Sequence, residues 1–507
     1  MKSTTRALPL TLTLALSLLA IPATDAQALS WTCSTVVQEG EADPGIGVFK
    51  TRFDDPAINS SGDVAFHARV KNANRRVYLY PAAGPPIIVA TKDGTSPGPG
   101  GDFRKFGSTS INDAGDVGFF ADLDNGDGAF IRESGGTLKR AAGTDDVSPT
   151  GGTFDTLLAV SRVNDDGDLA FMARVAGGDD GVFFFDESVP DVLTVAAIGD
   201  STGDGRFFCD FIKGRTVDLS DSGNATFQAK TAADCNSDTT TGVWLQTGAA
   251  TFENVADVGA GSSVIGTTYN KIFGAPLVNA NDEVLFRAKV RPADTCDNID
   301  ADVCSMDSDC QGICVGGTND AELCDVLADC PDPDPANKCA TPTCGGDRCL
   351  GGAEIGIPCS NDSDCPDGSC GVPGTNVKAL FLYDPAGGPS TTTIAAEKDT
   401  APGTGGGTLK TLAPPGGLSD AGHAAFRSKV RSSSAKHGAF VFNGAAEDIV
   451  LASDPVPTDN FGLGSIYRKI VEQTGFSRSG TWFTYSARVK DFSGVPSNGG
   501  VFRCEGS

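Results

Sequence analysis

Histidine is almost missing from this chain: His67, His423 and His437 are the three in 507 residues. Chemistry built on clustered imidazoles therefore has little to draw on. No H-E-x-x-H stretch, G-x-S-x-G elbow or P-loop phrase occurs either. No catalytic constellation can be named from the residues. Methionine and tryptophan are as scarce, at three each. Positive charge is short, with 39 Lys and Arg against 65 Asp and Glu, a formal net charge of −26. A nucleic-acid partner needs a basic footprint to displace phosphate counterions, so none is expected. An anionic membrane surface is disfavoured for the same reason, and the acidity fits solubility. After residue 28 no stretch approaches the roughly 18 apolar residues that span a bilayer, so no membrane span is expected.

The one apolar run, Leu8 to Ile21, stands between Lys2 and Arg6 on one side and Ala26-Gln27-Ala28 on the other. A basic start, an apolar stretch and a small-residue cleavage site read as a signal peptide over residues 1–28. No Cys stands at the cleavage point, which argues against a lipid anchor. The mature protein is expected to be secreted or to lie in the periplasm or cell envelope. There, 16 cysteines read first as disulfides. The 64 glycines and 29 phenylalanines suit short strands and tight turns rather than long helices.

What the chain has in quantity is one phrase. INSSGDVAFHARV begins at 58, INDAGDVGFFADL at 111, VNDDGDLAFMARV at 163 and LSDSGNATFQAKT at 219. VNANDEVLFRAKV follows at 278, LSDAGHAAFRSKV at 418 and the degraded FSRSGTWFTYSARV at 476. Apart from one long gap the copies lie about 55 residues apart, a period that signals a repeat architecture. Each unit holds four strand-like runs, of which the phrase supplies the second. In that run Val64, Phe66, Ala68 and Val70 alternate onto one face.

The start of the phrase reads as a hairpin turn. Asn59, Asn112 and Asn164 can bond the backbone two residues on, and Gly62, Gly115, Gly167, Gly223 and Gly422 supply a left-handed residue. In the fifth copy Asp282 stands in for Gly. The ring four residues after the Gly position, at Phe66, Phe119, Phe171, Phe227, Phe286 and Phe426, is the expected core anchor of each unit.

Four antiparallel strands repeated radially make a propeller blade, so the expected fold is an all-β, seven-bladed β-propeller. The C-terminal GGVFRC is a third strand with nothing after it, and residues 34–49 align with fourth-strand sequence. The N-terminus is therefore expected to lend the outer strand of the last blade. That brings Cys33 near Cys504, and Cys209 and Cys235 fall on adjoining strands of the fourth unit. The other 12 cysteines lie between Cys296 and Cys370 in an internally repeating segment with no His, which cross-links rather than a core must hold. The organisation expected is propeller over 29–290, a Cys-rich disulfide insert over 291–376 between the second and third strands of the fifth unit, and propeller over 377–507.

In N-x-x-G-x-x-x-F, met in full at Asn59/Gly62/Phe66, Asn112/Gly115/Phe119 and Asn164/Gly167/Phe171, the chain resembles the bacterial choice-of-anchor tandem repeat NxxGxxxF-containing proteins. The resemblance implies an exported or surface protein and no established activity. The C-terminal CEGS departs from it, having no hydrophobic tail or sorting signal, so simple secretion is favoured over tethering. A weaker likeness is to TolB-type propeller repeats.

Acids recur where the fourth run ends: Glu39, Asp93, Asp145, Asp200, Asp257, Asp399 and Asp454. They are the calcium candidates, weighed against plain solvated loops; no other cofactor is indicated. A base follows each anchor ring by three residues, from Arg69 to Arg488, and is expected to pair with carboxylates between blades. The reading that follows is a monomeric binding or surface-interaction module for an extracellular or cell-surface ligand, protein or glycan. The alternative is a propeller hydrolase or lyase acting on glycans or esters. A deep central pocket with converging His, Arg or carboxylates would favour the enzyme.

Overall fold

Strands that carry the repeated phrase are buried on both faces. In Val64–Lys71 the alternating Val64, Phe66, Ala68 and Val70 are buried, and so are Ala65 and His67 on the opposite face. A strand on the outside of a molecule would leave one face wet; here a neighbouring sheet covers each side. The computed structural model describes residues 30–506, apart from short stretches at 72–73, 213–216, 263–266, 387–389, 458–464 and 491–495 and most of 293–376. The leader over 1–28 lies outside the described residues, as do most of the cysteines of the insert.

Seven antiparallel sheets succeed one another in a ring, forming a seven-bladed propeller. Their first strands are Val48–Ile58, Phe103–Ile111, Thr153–Val163, Phe207–Phe211 with Val217–Leu219, Thr267–Val278, Thr408–Leu412 with Gly417–Leu418, and Ile466–Phe476. These strands, and in blade 6 the link at 414–416 between its two pieces, contribute residues to one axial cavity, so the first strand is innermost in every blade. Blade 2 shows the plan, with Phe103–Ile111, Val117–Leu123, Asp127–Arg132 and Leu138–Gly143 paired in that order.

The anchor ring has two partners. Within its own blade it stacks on the aromatic directly opposite in the third strand. Phe66 lies 5.5 Å from Tyr78, Phe119 5.4 Å from Phe130 and Phe171 5.6 Å from Phe183, centroid to centroid. Across the gap it meets the small-residue face of the preceding blade. Ala129, Ile131, Ala141 and Ala142 of blade 2 pack with Phe154, Phe171, Phe183 and Phe185 of blade 3 in one cluster. Large rings on one face and Ala or Val on the other let blades close to interior packing density. In blade 7 the stacked pair is Tyr485 over Phe502 at 5.4 Å, so Tyr485 takes the anchor position one residue late. The turn before it is one residue longer: the Ser477 N–H reaches the Trp482 carbonyl, whereas the Asn59 N–H reaches that of Asp63.

The turn geometry follows the expectation. Gly62, Gly115, Gly167, Gly223 and Gly422 have φ between 74° and 87°, and Asp282 adopts 61°. Asn59 Oδ1 accepts from the N–H of Ser61 and of Asp63, at 3.1 and 2.8 Å. Its amide nitrogen does more than the turn requires, because it donates to the carbonyl of Asn112 in the next blade at 3.1 Å. Asn112 donates likewise to Asn164 at 2.8 Å, Asn164 to Ser220 at 3.3 Å and Asn279 to Ser419 at 2.8 Å. The next residue adds a second set: Asp113, Asp165 and Asp221 accept the backbone N–H of Ser60, Asp113 and Asp165 respectively. The phrase is therefore a clasp between blades as well as a turn within one.

Closure is as the termini suggested. Trp31–Gln38 pairs antiparallel with Pro496–Gly506 as the outer strand of blade 7, and Cys33 opposite Cys504 forms a disulfide. A second disulfide joins Cys209 to Cys235 in blade 4. Both fit an oxidising, extracellular or periplasmic compartment. In blade 5 the strands Val284–Pro292 and Val377–Asp384 pair directly, so the intervening chain leaves and re-enters through adjacent strand ends. That chain is described only as strands of two to four residues.

Two stability outcomes follow. Asn112→Ser keeps the turn acceptor that Ser220 and Ser477 use but loses the donor to Asn164. It should cost about 1 kcal/mol in denaturant titration, whereas Asn112→Asp, which sets a carboxylate against that buried carbonyl, should cost about 2–3 kcal/mol. Equal costs would show that the cross-blade bond contributes nothing. Cys33→Ser should lower stability by up to ~6 kcal/mol, the chain-entropy ceiling for a loop closed over a sequence separation of 471; an unchanged thermal midpoint would remove the staple from the account of closure.

Candidate functional site

The innermost strands do not run straight. Their pairing with the second strands slips between Phe106 and Thr109, between Phe273 and Leu277 and between Val471 and Gly475. In blades 4 and 6 the strand is interrupted outright. Bulges re-aim side chains and widen the spacing of an inner strand. Here they leave an axial cavity of about 470 Å³. Its wall is mostly small or apolar, with Ile58, Ile111, Val160, Leu277, Pro414 and Phe476 contributed by six of the blades.

At the end nearest the turns the cavity has a charged floor. Arg162, two residues before Asn164, donates from Nε and Nη2 to the two carboxylate oxygens of Asp218, at 3.1 and 2.6 Å. Asp218 occupies the matching position in blade 4 and also accepts the Val278 N–H at 3.1 Å. Its side chain is 2% exposed and that of Arg162 is 26% exposed, so the carboxylate of the bidentate pair is buried and its cation half-buried. Arg478 comes from the opposite side of the ring, in the turn of blade 7. It donates to the carbonyls of Val278 and Leu219, at 2.9 and 3.1 Å, tying blade 7 to blades 4 and 5 across the axis. Arg162 also reaches Val278 O, at 3.1 Å, so two guanidinium groups converge on one carbonyl.

Burial opposes the charge on both arginines. For Arg162 the paired Asp218 outweighs it, and its pKa stands above the ordinary value. For Arg478 burial prevails, helped by the like charge of Arg162, and its pKa is held below the ordinary value. Asp113 and Asp165 complete the charged lining. Burial holds the Asp165 carboxyl above the usual carboxylate range.

Among the described residues the calcium candidates do not gather into one group. Asp200, Asp399 and Asp454 each accept the backbone N–H three residues earlier, at 2.8, 2.6 and 2.6 Å. Asp93 and Asp145 sit one loop position sooner, at the left-handed residue, with φ of 63° and 70°. Asp257 is held at 2.6 Å by Arg206, and Glu39 lies at the strand end beside Gly499. The acids recur in sequence but occupy different positions in their loops, so their side chains do not converge. Among the described residues no group of three or more His, Cys, Asp or Glu could hold a metal ion. The recurrent base does not bridge blades either: Arg69, Arg174, Lys429 and Arg488 are exposed, and Lys230 bonds Asp210 of its own blade at 2.8 Å. His67 is buried against Asp54 at 3.2 Å, away from the cavity lining.

Arg162, Asp218 and Arg478 escaped the reading of the sequence, although a signal was there. The position of Arg162 is Ala57, Ser110 or Leu277 in other copies, and that of Arg478 is Asp113, Asp165 or Asp420. Charged departures from a repeat consensus marked the floor.

Arg162→Met leaves Asp218 buried without its cation and should cost about 3–5 kcal/mol, while Arg162→Met combined with Asp218→Asn should recover much of that loss. A denaturant series over the single and double variants checks this; additive losses would mean that the two do not act as a pair.

No curated protein matches the chain. Solved structures that it resembles include TolB from Acinetobacter baumannii, at 14% identity and a TM-score of 0.29, over 48% of this chain and 52% of that one, about half its length. Others are the β-propeller domain of the Trilobed protease from Pyrococcus furiosus (8% identity, TM-score 0.39, 89% of this chain, 93% of that one) and the polysaccharide lyase Uly1 (7%, 0.39, 94% and 99%). At such identities nothing about activity follows from them. The NxxGxxxF-named family is not confirmed. A family described as of unknown function, DUF7453, matches residues 23–320, more than half of the chain, and the protein belongs to it.

Proposed function

We propose that the protein is an exported binding module that takes its ligand at the axial cavity. The observation that carries this reading is the character of the cavity: a mostly apolar wall drawn from the ring of inner strands, over a floor whose charged groups are bonded to backbone or to one another. Pockets of about 300–1,000 Å³ with few, placed polar groups are the usual form of small-molecule sites. A reacting group, by contrast, needs a base within hydrogen-bond reach. Ser110 lines the cavity, but its hydroxyl donates to Gly118 O and accepts the Val163 N–H, and no His is among the lining residues. The ligand is extracellular or at a cell surface, either a free small molecule or a sugar or side chain presented by a larger one. The Cys-rich insert, which leaves and re-enters between paired strands of blade 5, is proposed as a separate disulfide module.

The second reading, a hydrolase or lyase for glycans or esters, draws on the meeting of Arg162, Arg478, Asp113 and Asp165 at one cavity. Asp165, protonated more readily than an ordinary carboxyl, would be its acid. A glycan array together with a panel of chromogenic esters and glycosides separates the two. Saturable binding without product is expected; product formation that Asp165→Asn abolishes would overturn the binding reading in favour of the enzyme.

A further inference from the structure

We infer that the axial cavity selects an uncharged molecule, an apolar body bearing one carbonyl as an ester or amide, whose oxygen is held by Arg478. This rests on the reading of the cavity as a binding site and adds the chemistry of its occupant.

The floor is nearly balanced in charge. Among the lining residues Asp113, Asp165 and Asp218 oppose Arg162 and Arg478, three negative groups against two positive. Asp218 is saturated, both oxygens being taken by Arg162 and one of them also by the Val278 N–H. Asp113 and Asp165 each accept a backbone N–H from the preceding blade. An anionic ligand would meet these carboxylates, and a cationic one the two guanidinium groups. Either would lose its hydration without gaining an unopposed partner, which is the costly case for a buried ion.

Donors, however, are left over. A guanidinium has five N–H groups. Arg478 directs one from Nη1 to Val278 O and one from Nη2 to Leu219 O; its Nε stands 3.4 Å from Asp221 and its Nη1 3.9 Å from Asp420. Nη2 therefore keeps a second N–H that faces no carboxylate, on a side chain only 11% exposed that lines the cavity. A buried donor without an acceptor is costly, and a ligand oxygen would remove that cost. An ester or amide oxygen accepts without bringing charge. The rest of the molecule meets Ile58, Ile111, Val160, Leu277 and Phe476, a surface that rewards apolar contact.

The test uses one skeleton, adamantane, carrying in turn a methyl ester, a carboxamide, a carboxylate, an aminomethyl group or no polar group. Each is added in millimolar excess to the full mature protein while thermal unfolding is followed. The ester and the amide should raise the midpoint by about 2–4 °C. The hydrocarbon should do so less, and the two ions should have no effect. Arg478→Met should abolish the advantage of ester over hydrocarbon. Because Arg478 joins three blades and that variant can fail to fold, Ala275→Phe, which fills the cavity from its wall, is the second probe and should abolish all the shifts. Equal shifts from ester and hydrocarbon, or shifts from the carboxylate or the ammonium as large as from the ester, overturn the inference. Silence from all five compounds while a glycan binds on the array also overturns it and leaves the binding module standing.

Discussion

The amide of Asn112 faces two ways. Its oxygen accepts the Asp116 N–H at 2.7 Å and so shapes its own turn, while its nitrogen donates to the Asn164 carbonyl of the following blade at 2.8 Å. Both bonds are buried with the residue, which is 3% exposed. A turn that opens on Asn thus fixes the height of its neighbour as it forms. Hydrophobic burial between Phe faces and Ala faces holds blades together, but it is non-directional. The directional clasp sets where along the axis each inner strand ends. Everything at the cavity floor, from Arg162 to Asp218 to Arg478, is placed by that common level.

The chain of clasps is incomplete, and its gaps coincide with the floor. Ser220 uses its hydroxyl on Ser222 and on the Asn224 N–H within its own turn, so it does not reach blade 5. There Asn224 and Ser222 bond Asp282 instead, and Arg162 and Arg478 both reach Val278. Higher up, the residue after the anchor ring crosses to the next inner strand: Arg287 Nη1 donates to Leu412 O at 2.8 Å and Arg427 Nη1 to Ile470 O at 3.1 Å. A cationic side chain thus spans the joint of blades 6 and 7, which has Ser419 in place of the amide clasp, and also that of blades 5 and 6, where Asn279 keeps it. The cavity is therefore bounded by the groups that keep the ring closed, which is why removing its charges should cost stability as well as alter binding.

Much of this was legible without coordinates. The phrase with its Gly at the left-handed position, Phe66 and its counterparts as anchors, the strand lent by the N-terminus and the partnership of Cys33 with Cys504 all follow from local chemistry repeated at a fixed period. What the sequence left open has a shared reason. Glu39, Asp93, Asp200 and the other loop acids look equivalent because they recur near each strand end. A shift of one residue in a tight turn, however, changes whether a carboxylate points at its own backbone or elsewhere. Alternation puts Val64, Phe66, Ala68 and Val70 on one face of Val64–Lys71 but does not say what covers the other, where Ala65 is buried by a blade that starts some forty residues later.

The sequence by itself determined the blade, the number of blades and how the ring shuts, because each depends on turns, periodicity and chain ends that lie within one unit or at known separations. Only the tertiary structure decided where the chemistry is. Arg162 and Asp218 hold the same place in successive blades, 56 positions apart, but Arg478 lies 260 positions further on and at a different place in its turn. They meet because the ring brings blades 3, 4, 5 and 7 to one axis, and side chains aimed at an axis become neighbours whatever their distance in sequence.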